Sequence, residues 1–107
     1  MGMYLNPVNV CKETWLRENA TEVSKNAILL DYNNLMQNKE IPIILMNNGY
    51  FTAAGICYKE SEATEFTRED GRPKKFYVVP VAKLKEEFCR SAEGLGQWNI
   101  YSKYFEQ

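Results

Sequence analysis

Residues 41–46, Ile-Pro-Ile-Ile-Leu-Met, and residues 50–58, Tyr-Phe-Thr-Ala-Ala-Gly-Ile-Cys-Tyr, are two apolar runs that flank Asn47-Asn48-Gly49. Asparagine and glycine adopt positive φ at little cost, and such residues between two strand-forming runs are typical of a tight hairpin turn. The sequence therefore predicts a β-hairpin at the centre of the chain, and the flanking segments must complete the fold around it.

A third strand is predicted after this hairpin. Asp70-Gly71 is a second turn signal, and it leads into residues 75–81, Lys-Phe-Tyr-Val-Val-Pro-Val. The simplest arrangement is an antiparallel meander, and residues 65–68 could add a further paired extension. The rest of the segment from 59 to 69 is polar and acidic, so a solvated loop is expected there.

Two prolines limit how the strands are placed in the sheet. Pro42 and Pro80 each lack the backbone N–H that a strand donates to its neighbour. Both are therefore expected at strand ends or on edge strands.

Two amphipathic helices are predicted before the hairpin. The first begins at Asn6-Pro7, a capping residue followed by a proline at the first helical position, and residues 8–16 then place apolar side chains on one face. The second begins after Ser24 and ends near Asn38. A short buried strand over residues 27–32 is the alternative to this second helix, because Ile-Leu-Leu at 28–30 is continuous rather than periodic.

The C-terminal third changes to a helical period. Apolar residues recur at helical spacing from Val81 to Ala92, and Gly94 is placed to end this helix. The aromatic tail, residues 97–105, fits a strand and a helix about equally well. Its many aromatic side chains predict that it is docked on the rest of the molecule.

These elements predict a single α+β domain over residues 1–107. It has two N-terminal helices, a three- to four-stranded antiparallel meander sheet, one C-terminal helix, and an aromatic tail packed back on the sheet. Helices on one face of the sheet would give two layers around one core.

Composition narrows the classes of function. The 107 residues are 45% hydrophobic, and 13 basic against 14 acidic residues leave a net charge of −1, which gives nucleic-acid binding no general electrostatic support. The chain contains no histidine, which excludes a Ser-His-Asp triad or a Cys-His dyad within it. A non-catalytic protein with no metal and no cofactor is therefore expected.

The cysteines and the absence of hydrophobic spans suggest a cytoplasmic protein. Cys11, Cys57 and Cys89 are odd in number and widely spaced, which is typical of free thiols in a reducing compartment. All three lie in apolar stripes or strands and are expected to be small core residues. No apolar run approaches the ~18–20 residues of a membrane span, and no secretory leader is recognisable.

Two groups of residues are candidates for binding. Arg68, Arg72, Lys74 and Lys75 concentrate positive charge around the second turn, and Tyr50 and Phe51 follow the first turn directly. A basic turn could contact a phosphate backbone or an acidic partner, and aromatic side chains are enriched at binding hot spots. These six residues are the candidates for a binding surface. The alternatives are that the basic turn is only a solvated loop and that the two aromatic residues belong to the core.

The stretch from Ile43 to Ile56 resembles a strand pair of PUA-like domains, including the EVE and YTH families, in which a hydrophobic strand precedes a turn, an aromatic residue and a glycine-containing strand. The resemblance implies a compact barrel that holds a nucleotide or modified base in an aromatic-lined pocket. It assigns no pocket residue to this sequence.

The leading interpretation is a small non-catalytic interaction protein that binds another macromolecule, most simply a protein. An accessory or inhibitor protein of a phage or mobile element would suit this size and composition. One alternative is a PUA-like module that binds a nucleic acid or nucleotide. The other is a small enzyme that uses a lone thiol or the carboxylates in the acidic stretch at 60–70.

Overall fold

The computed structural model describes residues 4–5, 12–47, 52–66 and 74–105. These residues form an α+β fold with an antiparallel sheet, as the sequence predicts. The elements of the described part are, in chain order, β1 (Tyr4–Leu5), α1 (Glu13–Asn19), β2 (Thr21–Val23), α2 (Lys25–Gln37), β3 (Glu40–Asn47), β4 (Thr52–Ile56), α3 (Glu60–Phe66), β5 (Lys74–Pro80), α4 (Val81–Phe88), α5 (Ala92–Tyr101) and a C-terminal 3₁₀ turn (Ser102–Tyr104).

The central hairpin is confirmed. Strands β3 and β4 pair antiparallel, with a register that runs from Asn47 opposite Thr52 to Ile43 opposite Ile56. Residues 48–51, where the turn is predicted, lie outside the described residues. The hairpin therefore forms where the two apolar runs place it.

The order of the strands differs from a meander. The described strands form one sheet in the order β1-β4-β3-β5-β2, so β5 pairs with β3 and not with β4. Strands β4 and β5 both run antiparallel to β3 and are therefore parallel to each other. Parallel strands need a crossover connection, and α3 lies in this connection. The edges formed by β1 and β2 also leave the described sheet open, unlike the barrel that the PUA resemblance implies.

Helices cover both faces of the sheet, so the prediction of two layers around one core is wrong. One core cluster joins β3 and β5 to α1, α4 and α5, and the other joins these strands to α2 and α3. On β3, Ile43 belongs to the first cluster and Ile44 to the second. A strand without polar alternation is typical of a sheet that is covered on both sides, and β3 has this pattern.

Helix α2 follows the prediction closely. The Ser24 hydroxyl accepts a hydrogen bond from the Ala27 N–H at 3.2 Å, and Asn38 is the C-terminal cap. Ile28 and Tyr32 are buried on one face, which excludes the alternative strand over residues 27–32. The first predicted helix is present only from Glu13 to Asn19. Lys12 has an extended backbone and is the N-cap of α1, so the prediction of one continuous helix that begins at Asn6-Pro7 is wrong. Residues 6–11 lie outside the described residues.

The acidic segment after β4 is a helix and not a loop. Glu62 lies in the first turn of α3, and its Oε2 accepts the Tyr58 N–H at 3.2 Å. Ala63 is fully buried in the core cluster under α2. The predicted pairing of residues 65–68 is therefore wrong at Glu65, which is helical. One small buried side chain is too weak a signal to reveal this helix in the sequence.

The two prolines occupy different kinds of position. Pro80 ends β5, as predicted. Pro42 is instead the third residue of β3, a central strand, and its carbonyl oxygen accepts the Cys57 N–H at 3.0 Å. Because the N–H and C=O of one residue face the same neighbour, the donor that Pro42 lacks would face the end of β4, where pairing stops.

The C-terminal region consists of two helices where one is predicted. Helix α4 ends at Phe88, and Gly94 lies in the first turn of α5, so Gly94 does not end a helix. The Gly94 N–H donates to the Ser91 hydroxyl at 3.0 Å. The tail is helical and docked, because Trp98 and Phe105 are both buried in the core. In the described part of the chain, no helix is long and apolar enough to cross a bilayer.

Candidate functional site

The structure describes two of the six binding residues that the sequence predicts. Tyr50, Phe51, Arg68 and Arg72 lie outside the described residues, whereas Lys74 and Lys75 begin β5. Their register partners on β3 are Met46 and Leu45, so both lysines lie at the end of the sheet where β3 leads into residues 48–51. The role of these six residues in binding stays a prediction.

Lys75 already has a partner within the chain. Its ammonium group lies 2.5 Å from Glu13 Oε2 on α1, and Arg17 lies 3.3 Å from the other oxygen of the same carboxylate. The hydrogen bond from Lys75 holds the pKa of Glu13 below its usual value, and Glu13 in turn raises the pKa of Lys75. Lys75 therefore links α1 to β5, a role that the sequence pattern does not reveal.

The opposite end of the sheet carries a groove that the sequence does not predict. It opens where β3 begins and where β4 and β5 end, and it has a volume of about 480 Å³. We call it the tyrosine groove. Its walls come from α2, from the connection between β4 and α3, and from the C-terminal segment, and its lining residues are Tyr32, Asn33, Met36, Gln37, Lys39, Tyr58, Lys59, Glu60, Tyr104 and Phe105.

A pair of stacked tyrosines forms one wall of the tyrosine groove. The rings of Tyr58 and Tyr104 lie 4.0 Å apart between centroids and are inclined by 22°, and Phe105 meets Tyr58 edge-on at 6.3 Å. Tyr58 is buried, and Tyr104 is half-buried at the surface. Burial is the main cause of the rise in the Tyr58 pKa to about 12, so its hydroxyl stays protonated at neutral pH.

Three exposed lysines lie at the tyrosine groove, two of them against these rings. Lys59 Nζ lies 5.6 Å from the centre of the Tyr58 ring, and Lys103 Nζ lies 5.2 Å from that of Tyr104, both within the range of cation–π attraction. Lys39 lines the groove from the end of α2, with a positive φ of 59°. No ion pair among the described residues involves any of these three lysines.

Two buried side chains, Tyr32 and Cys57, lie close to each other beside this groove. Tyr32 lines the groove, and its hydroxyl has no hydrogen-bond partner among the described residues. Burial, with the nearby Cys57 and Glu62, raises the pKa of the Tyr32 hydroxyl. The same burial raises the pKa of the Cys57 thiol to about 12, which leaves it protonated and a weak nucleophile.

The cysteines divide between core and surface. Cys57 is buried, as the sequence predicts, but Cys89 is exposed just after α4, so its expected place in the core is wrong. The Cys89 N–H donates to the Lys85 carbonyl oxygen four residues earlier at 2.9 Å, and Lys85 is exposed, so Cys89 continues the exposed side of α4 and not its buried stripe. Cys11 lies outside the described residues. Over the ranges that the structure describes, no three cysteine or carboxylate groups are placed to hold a metal ion.

The sequence contains a partial signal for the tyrosine groove. The C-terminal tail is rich in aromatic residues and is predicted to dock, but it begins 39 residues after Tyr58 in the chain. Only the packing of the tail against the end of β4 brings Tyr104 onto Tyr58. Comparison with models of protein families, with curated proteins and with solved structures found no match for this chain.

Proposed function

We propose that this protein is a non-catalytic interaction protein that binds a protein partner through the tyrosine groove. The observation that carries the proposal is the groove itself, because it combines aromatic side chains with exposed lysines that have no ion-pair partner among the described residues. An accessory protein or inhibitor works by occupying a surface of its partner. Such a role suits a small domain and would be consistent with an origin in a phage or mobile element.

The apolar surface beside the groove supports a ligand that is longer than a small molecule. Leu29 and Leu30 are 42% and 82% exposed on α2. They precede Asn33, a lining residue, by four and three positions, so they share its side of the helix. Exposed leucines that continue a groove are typical of a surface that receives a polypeptide segment.

A nucleotide or single-stranded nucleic acid is the second candidate ligand. The aromatic lining of the groove favours it, because bases stack on tyrosine rings. Against it, Tyr58 is only 8% exposed and already stacks on Tyr104, which leaves little ring surface for a base. This packing supports a protein partner over a nucleic acid.

The chemistry of the buried groups supports a binding role over an enzymatic one. Glu62 is buried, but its Oε2 accepts the Tyr58 N–H and so holds the start of α3 in place. The Cys57 thiol is protonated at neutral pH because of its raised pKa. A panel of hydrolase substrates tests the enzymatic alternative. We expect the wild type to show no turnover above that of the Glu65→Gln and Cys57→Ser variants.

A matched pair of tryptophan substitutions tests the proposal. Asn33 lines the groove and Asn34 does not, although both are exposed on α2. Each variant is used, beside the wild type, to capture proteins from a lysate of the organism that encodes the chain. We expect Asn33→Trp to lose a partner that the wild type and Asn34→Trp retain, with all three proteins melting within about 2 °C of each other because surface changes cost little.

The competing hypothesis is that the partner binds the opposite end of the sheet, near the residues predicted from the sequence. Paired alanine substitutions at Tyr50 and Phe51, and at Arg72 and Lys74, test the surface predicted from the sequence. A partner that these variants lose but Asn33→Trp keeps would contradict the tyrosine groove as the binding site. A lysate in which the wild type captures no specific protein would contradict the proposed function as a whole.

A further inference from the structure

We propose that the segment bound in the tyrosine groove is acidic, with its carboxylates placed against Lys39, Lys59 and Lys103. This inference rests on the proposed function and names the chemistry of the partner. It follows from the local charge of the groove, from the hydrogen-bond donors along its walls, and from the overall charge of the chain.

The charge at the groove is locally positive. Lys39 and Lys59 line it, and Lys103 lies over the ring of Tyr104 at its wall, whereas Glu60 is the only acidic residue in the lining over the described part of the chain. The contacts of Lys59 and Lys103 with tyrosine rings restrict these two side chains near the groove. Restricted cations lose less side-chain entropy when they pair with a carboxylate, which favours binding.

The walls of the groove offer hydrogen-bond donors. Asn33 and Gln37 present side-chain amides from α2, and both residues are exposed. Carboxylates and peptide carbonyl groups are acceptors, so an extended acidic segment matches these donors and the lysines together.

The overall charge favours a short acidic segment over a nucleic acid. The chain has a net charge of −1, so the positive charge at the groove is a local feature and not part of a basic molecule. A nucleic acid carries phosphates well beyond a groove of this size, and a chain with 13 basic and 14 acidic residues offers no overall excess of positive charge to bind them. A short acidic segment places its charge only where the lysines are.

The experiment is an NMR titration of the ¹⁵N-labelled full chain with three probes. The first is a capped ten-residue peptide of glutamates with two central leucines, the second replaces every glutamate by glutamine, and the third is a ten-nucleotide thymidine oligomer. We expect the acidic peptide to shift amide signals of groove residues, such as Asn33 and Lys59, and to bind more weakly as salt is raised.

Charge-removing variants show whether the groove lysines are responsible. Replacing Lys59 and Lys103 together by glutamine should weaken binding of the acidic peptide at least tenfold. Lys83→Gln removes an exposed lysine of α4 that lies outside the tyrosine groove, and it should leave the affinity unchanged within twofold. All variants are first compared by thermal melting.

The alternative results overturn the inference in distinct ways. If the glutamine peptide binds as tightly as the acidic peptide, the charge of the segment does not contribute to recognition. If the thymidine oligomer binds more tightly than the acidic peptide, the groove is a nucleic-acid site. If no amide signal shifts, acidic segments are excluded as ligands. If Asn33→Trp blocks capture of a partner but the acidic peptide does not bind, the inference fails and the proposed function stands. If the peptide binds but no capture depends on the groove, the proposed function fails.

Discussion

At some positions of this protein, close packing limits which side chain can be accommodated, although no recognisable sequence motif marks the position. Gly94 is the clearest example, because a Cβ atom added there would lie 2.0 Å from the carbonyl oxygen of Phe88. Its backbone φ is not positive, so the constraint is the close approach of α5 to the end of α4 and not conformational freedom. Gly96, two residues later in the same helix, has no atom within 4 Å of such a Cβ.

These two glycines give a matched prediction of stability. Gly94→Ala should lower the free energy of unfolding by about 2 kcal/mol, because the backbone of α4 or α5 must move to admit the methyl group. Gly96→Ala should raise it by roughly 0.5–1 kcal/mol, since alanine is the better helix former. Urea unfolding of both variants measures this difference. Equal effects of the two substitutions would contradict the close packing at Gly94.

At the scale of elements, helix α1 is joined to β5 by a charged contact across 62 residues of sequence. The Lys75 ammonium group donates to Glu13 Oε2 at 2.5 Å, and the Tyr77 hydroxyl donates to the same oxygen at 3.5 Å. The side chains of Glu13 and Lys75 are both partly exposed, so their ion pair is screened by solvent and its effect is best seen through its dependence on pH.

The contact predicts how stability changes in acid. The pKa of Glu13 in the folded protein is lowered from 4.5, so this contact stabilises the fold above that pH and its contribution is lost as pH falls through the lowered value. Glu13→Gln should therefore destabilise the protein at pH 7 and have little effect near pH 2. Denaturant unfolding at several pH values measures this trend.

Glu18→Gln is the matched control for this prediction. Glu18 is exposed on the same helix and takes part in no ion pair among the described residues. Its replacement should leave the pH dependence of unfolding close to that of the wild type. The predicted role of Glu13 is wrong if the two variants lose stability in parallel across the pH range.

At the scale of the whole molecule, the sheet separates two hydrophobic cores and contributes side chains to both. Leu84 of α4 is fully buried in one core cluster and Ile28 of α2 is fully buried in the other. Each cluster includes residues of β3 and β5, so the two central strands contribute apolar side chains in both directions. Loss of packing on either face should therefore weaken the same cooperative unit.

This arrangement predicts that α2 is part of the core and not a surface addition. Ile28→Ala should reduce the free energy of unfolding by about 3 kcal/mol, as expected for a large-to-small change at a buried site. Leu30→Ala, two residues away and 82% exposed, should change it by less than about 0.5 kcal/mol. Urea unfolding with a single transition is expected for both. A small effect of Ile28→Ala would contradict the second core.

The candidate site shows why part of this molecule was predictable and part was not. Lys74 and Lys75 lie at the start of β5, the strand that the second turn signal predicts, but their place beside Met46 and Leu45 depends on the pairing of β5 with β3, which no local pattern indicates. The contact between Tyr58 and Tyr104 joins residues 46 positions apart in sequence, and no local pattern indicates it. The sequence does not reveal helix α3 for a related reason, since the main contribution of this helix to the core is the small side chain of Ala63.

The sequence by itself determined the central hairpin, the capped helix α2, the strand β5 and the α+β class. These features depend on turn residues, caps and periodicity, which act over a few neighbouring positions. Tertiary structure alone decided the pairing of β5 with β3, the covering of both faces of the sheet, and the tyrosine groove. Each of these depends on which distant apolar surfaces bury each other, and that choice is made by packing across the whole chain.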